Sequence, residues 1–245
     1  MLSLFKKKTP LIHIFPKEFV DIHCHLLSNI DDGTKSLNEA ISLIKKMHSY
    51  GIKNFICTPH IMGGVWENSK ENILTKLAEL QNELNLQGLK DISIKAAAEY
   101  MLDDNFDKLL KTKDLLTLKD HFILIELSYF NPPLNLYEQL FNIRIAGYKP
   151  ILAHPERYSY FHHNFEEYSK LKEAGCLFQL NLLSLSKYYG ETIQKVALKL
   201  LKQGFIDFVG TDTHNNKHLN YLEKINSVKA VQMVHPILKN NVLFQ

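Results

Sequence analysis

Histidine and carboxylate side chains follow six separate apolar segments of this 245-residue sequence. Such polar groups are costly beside apolar strands unless they pair with each other or bind metal ions. Five histidines and four carboxylates suit moderately hard divalent cations such as manganese, iron or zinc, and do not suit a thiolate site. We therefore predict a centre of two or three divalent metal ions. The predicted ligands are His23, His25, Asp32, His60, Glu99, Glu126, His154, Asp212 and His214.

Two pairs of predicted ligands, His23 with His25 and Asp212 with His214, have one residue between their members. Successive side chains of a β-strand point to opposite faces, so both members of a pair project to the same side. Cys24, between the two histidines, is then turned away from the site. Each pair can bind one metal ion or lie between two.

Arg157 follows His154 by three residues and is one of two arginines in the sequence. Its planar, permanently charged guanidinium suits two phosphate oxygens. Beside cations that activate water, such an arginine is compatible with hydrolysis of a phosphoester by metal-activated hydroxide, the reaction that the family resemblance described below implies. The catalytic candidates are Arg157, Asp32 and His214, the last two as groups that can protonate the leaving oxygen.

The three cysteines do not fit the alternative chemistry, in which a cysteine nucleophile is followed six residues later by a phosphate-binding arginine. Cys24 and Cys57 are interpreted as small apolar residues of the core. The positions six residues after Cys24, Cys57 and Cys176 hold Ile30, Gly63 and Leu182.

Short apolar segments alternate with amphipathic helical segments along the chain, which is typical of parallel strands joined by helices. Seven such units in series predict a barrel, and polar residues at the C-terminal ends of its strands converge on one rim. The predicted strands are Phe19–His25, Ile52–Thr58, Ile92–Ala98, Phe122–Leu127, Pro150–Ala153, Leu177–Asn181 and Asp207–Thr211. Predicted helices begin at Leu37 and cover Glu71–Leu86, Leu136–Ala146, Phe165–Ala174, Thr192–Gln203 and Leu219–Val228.

Composition excludes several other classes of protein. The net charge of +3 lacks the dense basic stripe of a nucleic-acid-binding protein, and no segment has the ~18 consecutive apolar residues of a membrane span. An odd number of dispersed cysteines argues against a disulfide framework and favours a reducing, cytoplasmic setting. We expect one domain over residues 18–245, after a loosely ordered leader of residues 1–17 that contains the basic run Lys6–Lys8.

The ordered motifs of the sequence resemble the polymerase-and-histidinol-phosphatase (PHP) superfamily. Within it, Asp-Ile-His-Cys-His, Asp-Asp-Gly and Ala-His-Pro-Glu-Arg-Tyr are similar to the capsule-biosynthesis tyrosine phosphatases of the CpsB/YwqE type. The resemblance implies an α/β fold, a distorted (β/α)7 TIM-like barrel of PHP type. It also implies a trinuclear manganese centre and hydrolysis of phosphotyrosine on the tail of a tyrosine autokinase that controls capsule or exopolysaccharide synthesis.

The resemblance also implies a distribution of the ligands and a contact between Arg157 and the phosphate. Its ligand sets are His23, His25, Glu99 and Asp212 for one metal, Glu99, Glu126 and His154 for a second, and Asp32, His60 and His214 for a third.

Two segments depart from the family pattern. A basic cluster expected after His60 is replaced by the apolar segment Ile61–Trp66, and a second arginine expected after His214 is absent. A PHP-type phosphatase of a small metabolite such as histidinol phosphate is therefore an alternative. A non-catalytic metal-binding regulator and an amidohydrolase are further alternatives. The other seven histidines, His218 among them, are interpreted as exposed or capping residues outside the site.

Overall fold

The computed structural model describes residues 9–245, so the basic run Lys6–Lys8 lies outside the described residues. All seven predicted strand segments are present, and the second and third each continue, after a short break, into a second strand. The strands are β1 Val20–Cys24, β2 Asn54–Cys57, β3 His60–Ile61, β4 Ser93–Ala96, β5 Glu99–Met101, β6 Phe122–Glu126, β7 Lys149–Ala153, β8 Leu177–Asn181 and β9 Phe208–Gly210.

Neighbouring strands are parallel throughout, in the orders β1-β2-β4 and β3-β5-β6-β7-β8-β9. Because β3 directly follows β2 and β5 directly follows β4, the two sheets form one ring of seven strand segments. The ring closes between β1 and β9, where Asp212 N donates to His23 O at 2.7 Å and His25 N donates to Thr213 O at 3.0 Å. This arrangement confirms the predicted α/β fold with its distorted (β/α)7 barrel.

Side chains complete the seam between β1 and β9, where backbone pairing is sparse. Asn241, fully buried, donates from Nδ2 to Val20 O at 2.8 Å and to Val209 O at 2.7 Å, and its Oδ1 accepts from Val209 N at 3.1 Å. Further along, Asp21 Oδ1 accepts from Thr211 N at 3.0 Å. Buried backbone groups that lack a strand partner are thus satisfied by amide and carboxylate groups.

The interior of the ring is filled with apolar side chains below the C-terminal rim. Phe244 closes the N-terminal end, with ring centroids 4.9 Å from Phe208 and 5.5 Å from Phe122. Small side chains, Ala97 and Ala153, face the interior closer to the C-terminal rim. The remaining interior residues are Val20, Ile22, Ile56, Leu118, Leu124 and Ile151. With its floor filled, the barrel leaves only the C-terminal rim for polar side chains.

Helices surround the ring and bury a larger apolar core against its outer face. The prediction of one helix over Leu219–Val228 is wrong: one helix ends at Leu222 and another begins at Val228, and a helix over Asp104–Thr112 was not predicted. None of the described helices is both long and apolar enough to cross a membrane. The helices are α1 Leu37–Ser49, α2 Lys70–Leu86, α3 Asp104–Thr112, α4 Leu136–Ile145, α5 Glu166–Glu173, α6 Glu191–Lys202, α7 Asn216–Leu222 and α8 Val228–Leu238.

Part of the predicted leader packs against the barrel. Leu11, in a 3-10 turn over Leu11–His13, is fully buried, and its backbone N donates to Ile225 O at 2.8 Å.

Candidate metal centre

The nine predicted ligands all lie at the C-terminal rim of the ring. Their nitrogen and oxygen atoms form four overlapping groups in which the ligand atoms are within 4.8 Å of one another. Because the groups share residues, they form one continuous cluster and not separate sites. The groups are His25, Asp32, His60 and His214; His23, His154 and Asp212; His23, His25 and Glu99; and His60, Glu99 and Glu126.

Glu99 lies at the centre of the cluster and is fully buried. Its Oε2 is 3.1 Å from His23 Nε2 and 3.3 Å from His60 Nδ1, and its Oε1 is 2.9 Å from His154 Nε2. Ligand atoms bonded to one ion at about 2.1 Å are separated by roughly 3 Å, which is the spacing found here. The two oxygens of Glu99 face different histidines, so this carboxylate can bridge two cations.

Asp32 and His214 lie on the open side of the cluster. Asp32 Oδ1 is 3.2 Å from His214 Nε2 and 3.5 Å from His60 Nε2, and the Asp32 side chain is more than half exposed. Burial raises the pKa of Asp32, but hydrogen bonds and charge interactions with His214 and His60 together outweigh it and hold that pKa well below its usual value. Of the nine residues, Asp32 is therefore the one that solvent and substrate reach most directly.

The cluster contains ionised carboxylates whose negative charge bound cations can neutralise. Burial lowers the pKa of His25 and His60, but nearby carboxylates outweigh it and raise both pKa values well above normal. Burial raises the pKa of Glu99 and Asp212, and nearby histidines, above all His23, outweigh it and hold both carboxyls ionised. Without metal, protons on the histidines balance the carboxylates. Metal ions displace such protons when they bind, because a ligating imidazole must be neutral.

The pKa of His154 is shifted in the opposite direction from those of His25 and His60. Burial, followed by the positive charge of Arg157, lowers the pKa of His154 to about 4, so its ring is neutral and available as a ligand. His154 and Asp212 also both have left-handed backbone conformations, with φ of 37° and 50°. Such conformations are strained for non-glycine residues and concentrate at functional sites.

Three further side chains orient the ligands and were missed by the sequence analysis. Gln179 Oε1 lies 2.8 Å from His23 Nδ1 and Asp31 Oδ2 lies 2.7 Å from His25 Nδ1, which leaves Nε2 of each histidine facing the cluster. Asn181 Nδ2 donates to Asp212 Oδ2 at 2.7 Å. Gln179 and Asn181 are an i, i+2 polar pair in β8, the same signal that identified the first histidine pair.

Arg157 lies beside the cluster between two aromatic rings. Its Nη1 donates to Asp212 Oδ2 at 3.0 Å, and its guanidinium carbon is 4.8 Å from the Tyr129 ring centroid and 4.4 Å from that of Tyr189. Both rings are attracted to the cation. Arg157 lines the same cavity as the ligand cluster, and the N–H donors that Asp212 does not use are available there to an anion.

A cavity of about 290 Å³ opens above the cluster and Arg157. His218 was predicted to lie outside the site, and this is wrong: it lines the cavity, and its Nε2 is 3.1 Å from Tyr188 OH. Burial lowers the pKa of His218 to about 4. His218 lies in a helix and does not follow a strand. A search for polar residues at the ends of predicted strands therefore does not identify it. Tyr188, Tyr189 and Asn215 complete the wall.

Comparison with known proteins gives consistent matches. The family model for capsular polysaccharide synthesis, CpsB/CapC, matches residues 19–231. The tyrosine-protein phosphatase CpsB of Streptococcus pneumoniae is 31% identical over 203 residues, covering 80% of this chain and 83% of CpsB. The tyrosine-protein phosphatase YwqE of Bacillus subtilis is 29% identical over 206 residues, covering 82% of this chain and 80% of YwqE.

Solved structures agree with the sequence matches. A crystal structure from a study of YwqE from Bacillus subtilis and CpsB from Streptococcus pneumoniae, described as unique metal-dependent tyrosine phosphatases, superposes with a TM-score of 0.79 at 27% identity, covering 92% of this chain and 95% of that one. Histidinol phosphate phosphatase from Lactococcus lactis superposes with a TM-score of 0.54 at 14% identity, covering 91% and 94%, and shares the fold.

Proposed function

The chain belongs to the capsular polysaccharide synthesis CpsB/CapC family, and from this premise we propose that it is a metal-dependent protein tyrosine phosphatase. The observation that carries the proposal is the convergence of the nine predicted ligands, with Glu99 at their centre and the Arg157 guanidinium beside them. Manganese is the proposed metal, because mixed imidazole and carboxylate ligands suit it. The proposed substrate is the phosphorylated tail of a tyrosine autokinase in the cytoplasm. The free cysteines Cys24, Cys57 and Cys176 are consistent with a reducing compartment.

The proposed roles divide between the cluster and its neighbours. The nine ligands would hold two or three cations, which activate water as a nucleophile and offset the charge of the phosphoryl group. Arg157 would donate its free N–H groups to two phosphoryl oxygens, and its guanidinium contacts Asp212, Tyr129 and Tyr189.

The basicity of the leaving oxygen determines whether the reaction needs a general acid to protonate it. A phenol has a pKa of about 10, so a tyrosine leaving group needs less protonation than an alcohol does. A metal-polarised water, or whichever of Asp32 and His214 is not fully committed to a metal ion, would supply the proton that the departing oxygen receives; the two side chains lie 3.2 Å apart at the open side of the cluster. The side chains of Tyr129, Tyr188 and Tyr189 line the cavity and form aromatic walls for the phenyl ring.

Removal and return of metal test the mechanism. Protein treated with a chelator is expected to lose hydrolysis of p-nitrophenyl phosphate and of phosphotyrosine peptides, and Mn²⁺ is expected to restore both. Activity that survives chelation but is lost on treatment with a thiol reagent would contradict the proposal. Histidinol phosphate is the comparison substrate: a higher kcat/KM on it than on phosphotyrosine peptides would assign the enzyme to small metabolites.

Replacement of Arg157 tests its role separately. Arg157→Ala removes two charge-assisted hydrogen bonds to phosphate, each worth about 1.5–3 kcal/mol, so kcat/KM is expected to fall about 100-fold or more. Arg157→Lys is expected to recover little, because a lysine cannot form the planar fork. Arg144→Ala is the matched control, since Arg144 is exposed and contacts Ala174 O. Loss of metal content in the Arg157 variants would instead indicate a structural role.

A further inference from the structure

Exposed apolar side chains are concentrated in one segment of the described chain. Of the ten large apolar residues that are exposed among residues 9–245, six lie between positions 129 and 145. Phe130 is 92% exposed and Leu134 is fully exposed at 107%. We call the six residues the apolar strip: Tyr129, Phe130, Leu134, Tyr137, Phe141 and Ile145.

The strip continues along the outer side of α4. This helix buries Leu140 and Ile143 against the barrel, yet Tyr137, Phe141 and Ile145 recur every four residues on its solvent side. A helix that is apolar on opposite sides is normally covered on both. The strip covers on the order of several hundred Å², comparable to or larger than the largest apolar patch of a typical monomer, and such patches mark interaction sites.

One end of the strip is a wall of the catalytic cavity. The Tyr129 ring stacks on His154 with centroids 5.8 Å apart and lies 4.8 Å from the guanidinium of Arg157. Phe130 is the next residue and points to solvent. When the phosphotyrosine of a polypeptide occupies the cavity, the neighbouring residues of that polypeptide therefore lie over the strip where the chain emerges from the cavity. A second copy of the chain packed over the whole strip would obstruct the cavity that a protein substrate must enter.

We propose that the apolar strip binds apolar side chains of the protein substrate that neighbour the phosphotyrosine. This inference rests on the proposed phosphatase function and extends it to substrate choice. The segment Ile61–Trp66 is also without basic residues, so a preference for apolar neighbours replaces the preference for acidic neighbours that a basic cluster would give. The ten residues of α4 span about 15 Å, which an extended peptide covers with about five residues.

Two substitutions on the strip and one control test the proposal. Leu134→Ser and Phe141→Ser change exposed residues outside the cavity, and Leu86→Ser changes an 83% exposed leucine at the end of α2. The substrates are a phosphotyrosine peptide with leucine and tyrosine neighbours, the same peptide with serine neighbours, and p-nitrophenyl phosphate. The measured quantity is the ratio of kcat/KM for the apolar peptide to that for p-nitrophenyl phosphate. It is expected to fall about 10-fold in the double variant, through KM, and to stay constant in the control.

Each contrary result has a distinct meaning. Equal kcat/KM of the wild-type enzyme on the two peptides would overturn the docking proposal alone, since turnover of the serine peptide reports the phosphatase function by itself. No turnover of either peptide would overturn both proposals. A dimer in sedimentation that the double variant dissociates, with the ratio unchanged, would assign the strip to contacts between copies and overturn its role in substrate binding.

Discussion

Replacement of Asn241 by alanine is expected to weaken the closure of the barrel. Its side chain makes three buried hydrogen bonds, to Val20 O, Val209 O and Val209 N, at 2.7–3.1 Å. In Asn241→Ala the two carbonyls and the N–H lose their partners at the seam between β1 and β9. Backbone groups buried without partners cost more than an ordinary hydrogen bond contributes.

The magnitude follows from the number of groups left unpaired. At about 1 kcal/mol or more for each unsatisfied buried group, the three together amount to at least about 3 kcal/mol of unfolding free energy. A water molecule that enters the vacated space can recover part of this. For a domain of this size, about 3 kcal/mol corresponds to a decrease in the melting temperature of about 6–12 °C.

The assay is thermal unfolding of chelator-treated protein, followed by circular dichroism. Metal must be absent, because ions bound between β1 and the segment after β9 would reinforce the same seam. Asn240→Ala is the matched control, since the neighbouring Asn240 is exposed and donates one hydrogen bond to Asp207 O at 2.8 Å. Its melting temperature is expected to fall by about 4 °C at most. A smaller decrease for Asn241→Ala than for Asn240→Ala would refute the reasoning.

Three other predictions concern the centre itself. Replacing Tyr129 and Tyr189 by leucine removes the cation–π contacts that hold Arg157, which are worth about 0.5–2 kcal/mol each. The KM for p-nitrophenyl phosphate is therefore expected to rise about 5-fold or more. Phenylalanine at both positions retains the rings, so the KM of that variant is expected to stay near the wild-type value. Gly210→Ala would place a Cβ 2.5 Å from the Cβ of His23. The amount of metal bound per protein chain, measured by elemental analysis, is therefore expected to fall well below that of the wild type. Metal content equal to that of the wild type would contradict this prediction and show that β9 shifts without disturbing His23. Mn²⁺ at about 1,000 times its dissociation constant is expected to stabilise the wild-type fold by about 4 kcal/mol, and an unchanged melting temperature in calorimetry would contradict a preformed centre.

The convergence of the predicted ligands could be predicted from sequence because their positions follow from topology. Parallel strands of a barrel bring their C-terminal ends to one rim, so a polar residue after each apolar segment suffices to predict the meeting of Glu99, Glu126 and His154. The surroundings of Arg157 could not be predicted in this way. Tyr129 and Tyr189 come from loops after β6 and β8, and loop conformations depend on packing that no sequence period encodes.

Periodicity also misled in one place. Leu219, Leu222 and Ile225 have helical spacing, which is compatible with a single helix through Val228, and all three are buried in the structure. The chain instead turns after Leu222, and Ser227 caps a new helix by accepting from Ala230 N. The carbonyl of Ile225 bonds to Leu11 N. Tertiary contacts, and not the local hydrophobic pattern, thus determine where α7 ends and α8 begins.

The joint between the first and ninth strands has a consequence for biosynthesis. His23 and His25 are among the earliest residues of the barrel to leave the ribosome, and Asp212 and His214 are among the latest. An unfinished polypeptide cannot assemble the complete set of ligands, however well its early portions fold. Assembly of the predicted metal centre therefore requires translation beyond the ninth strand, and we expect a product terminated before that point to lack hydrolytic activity.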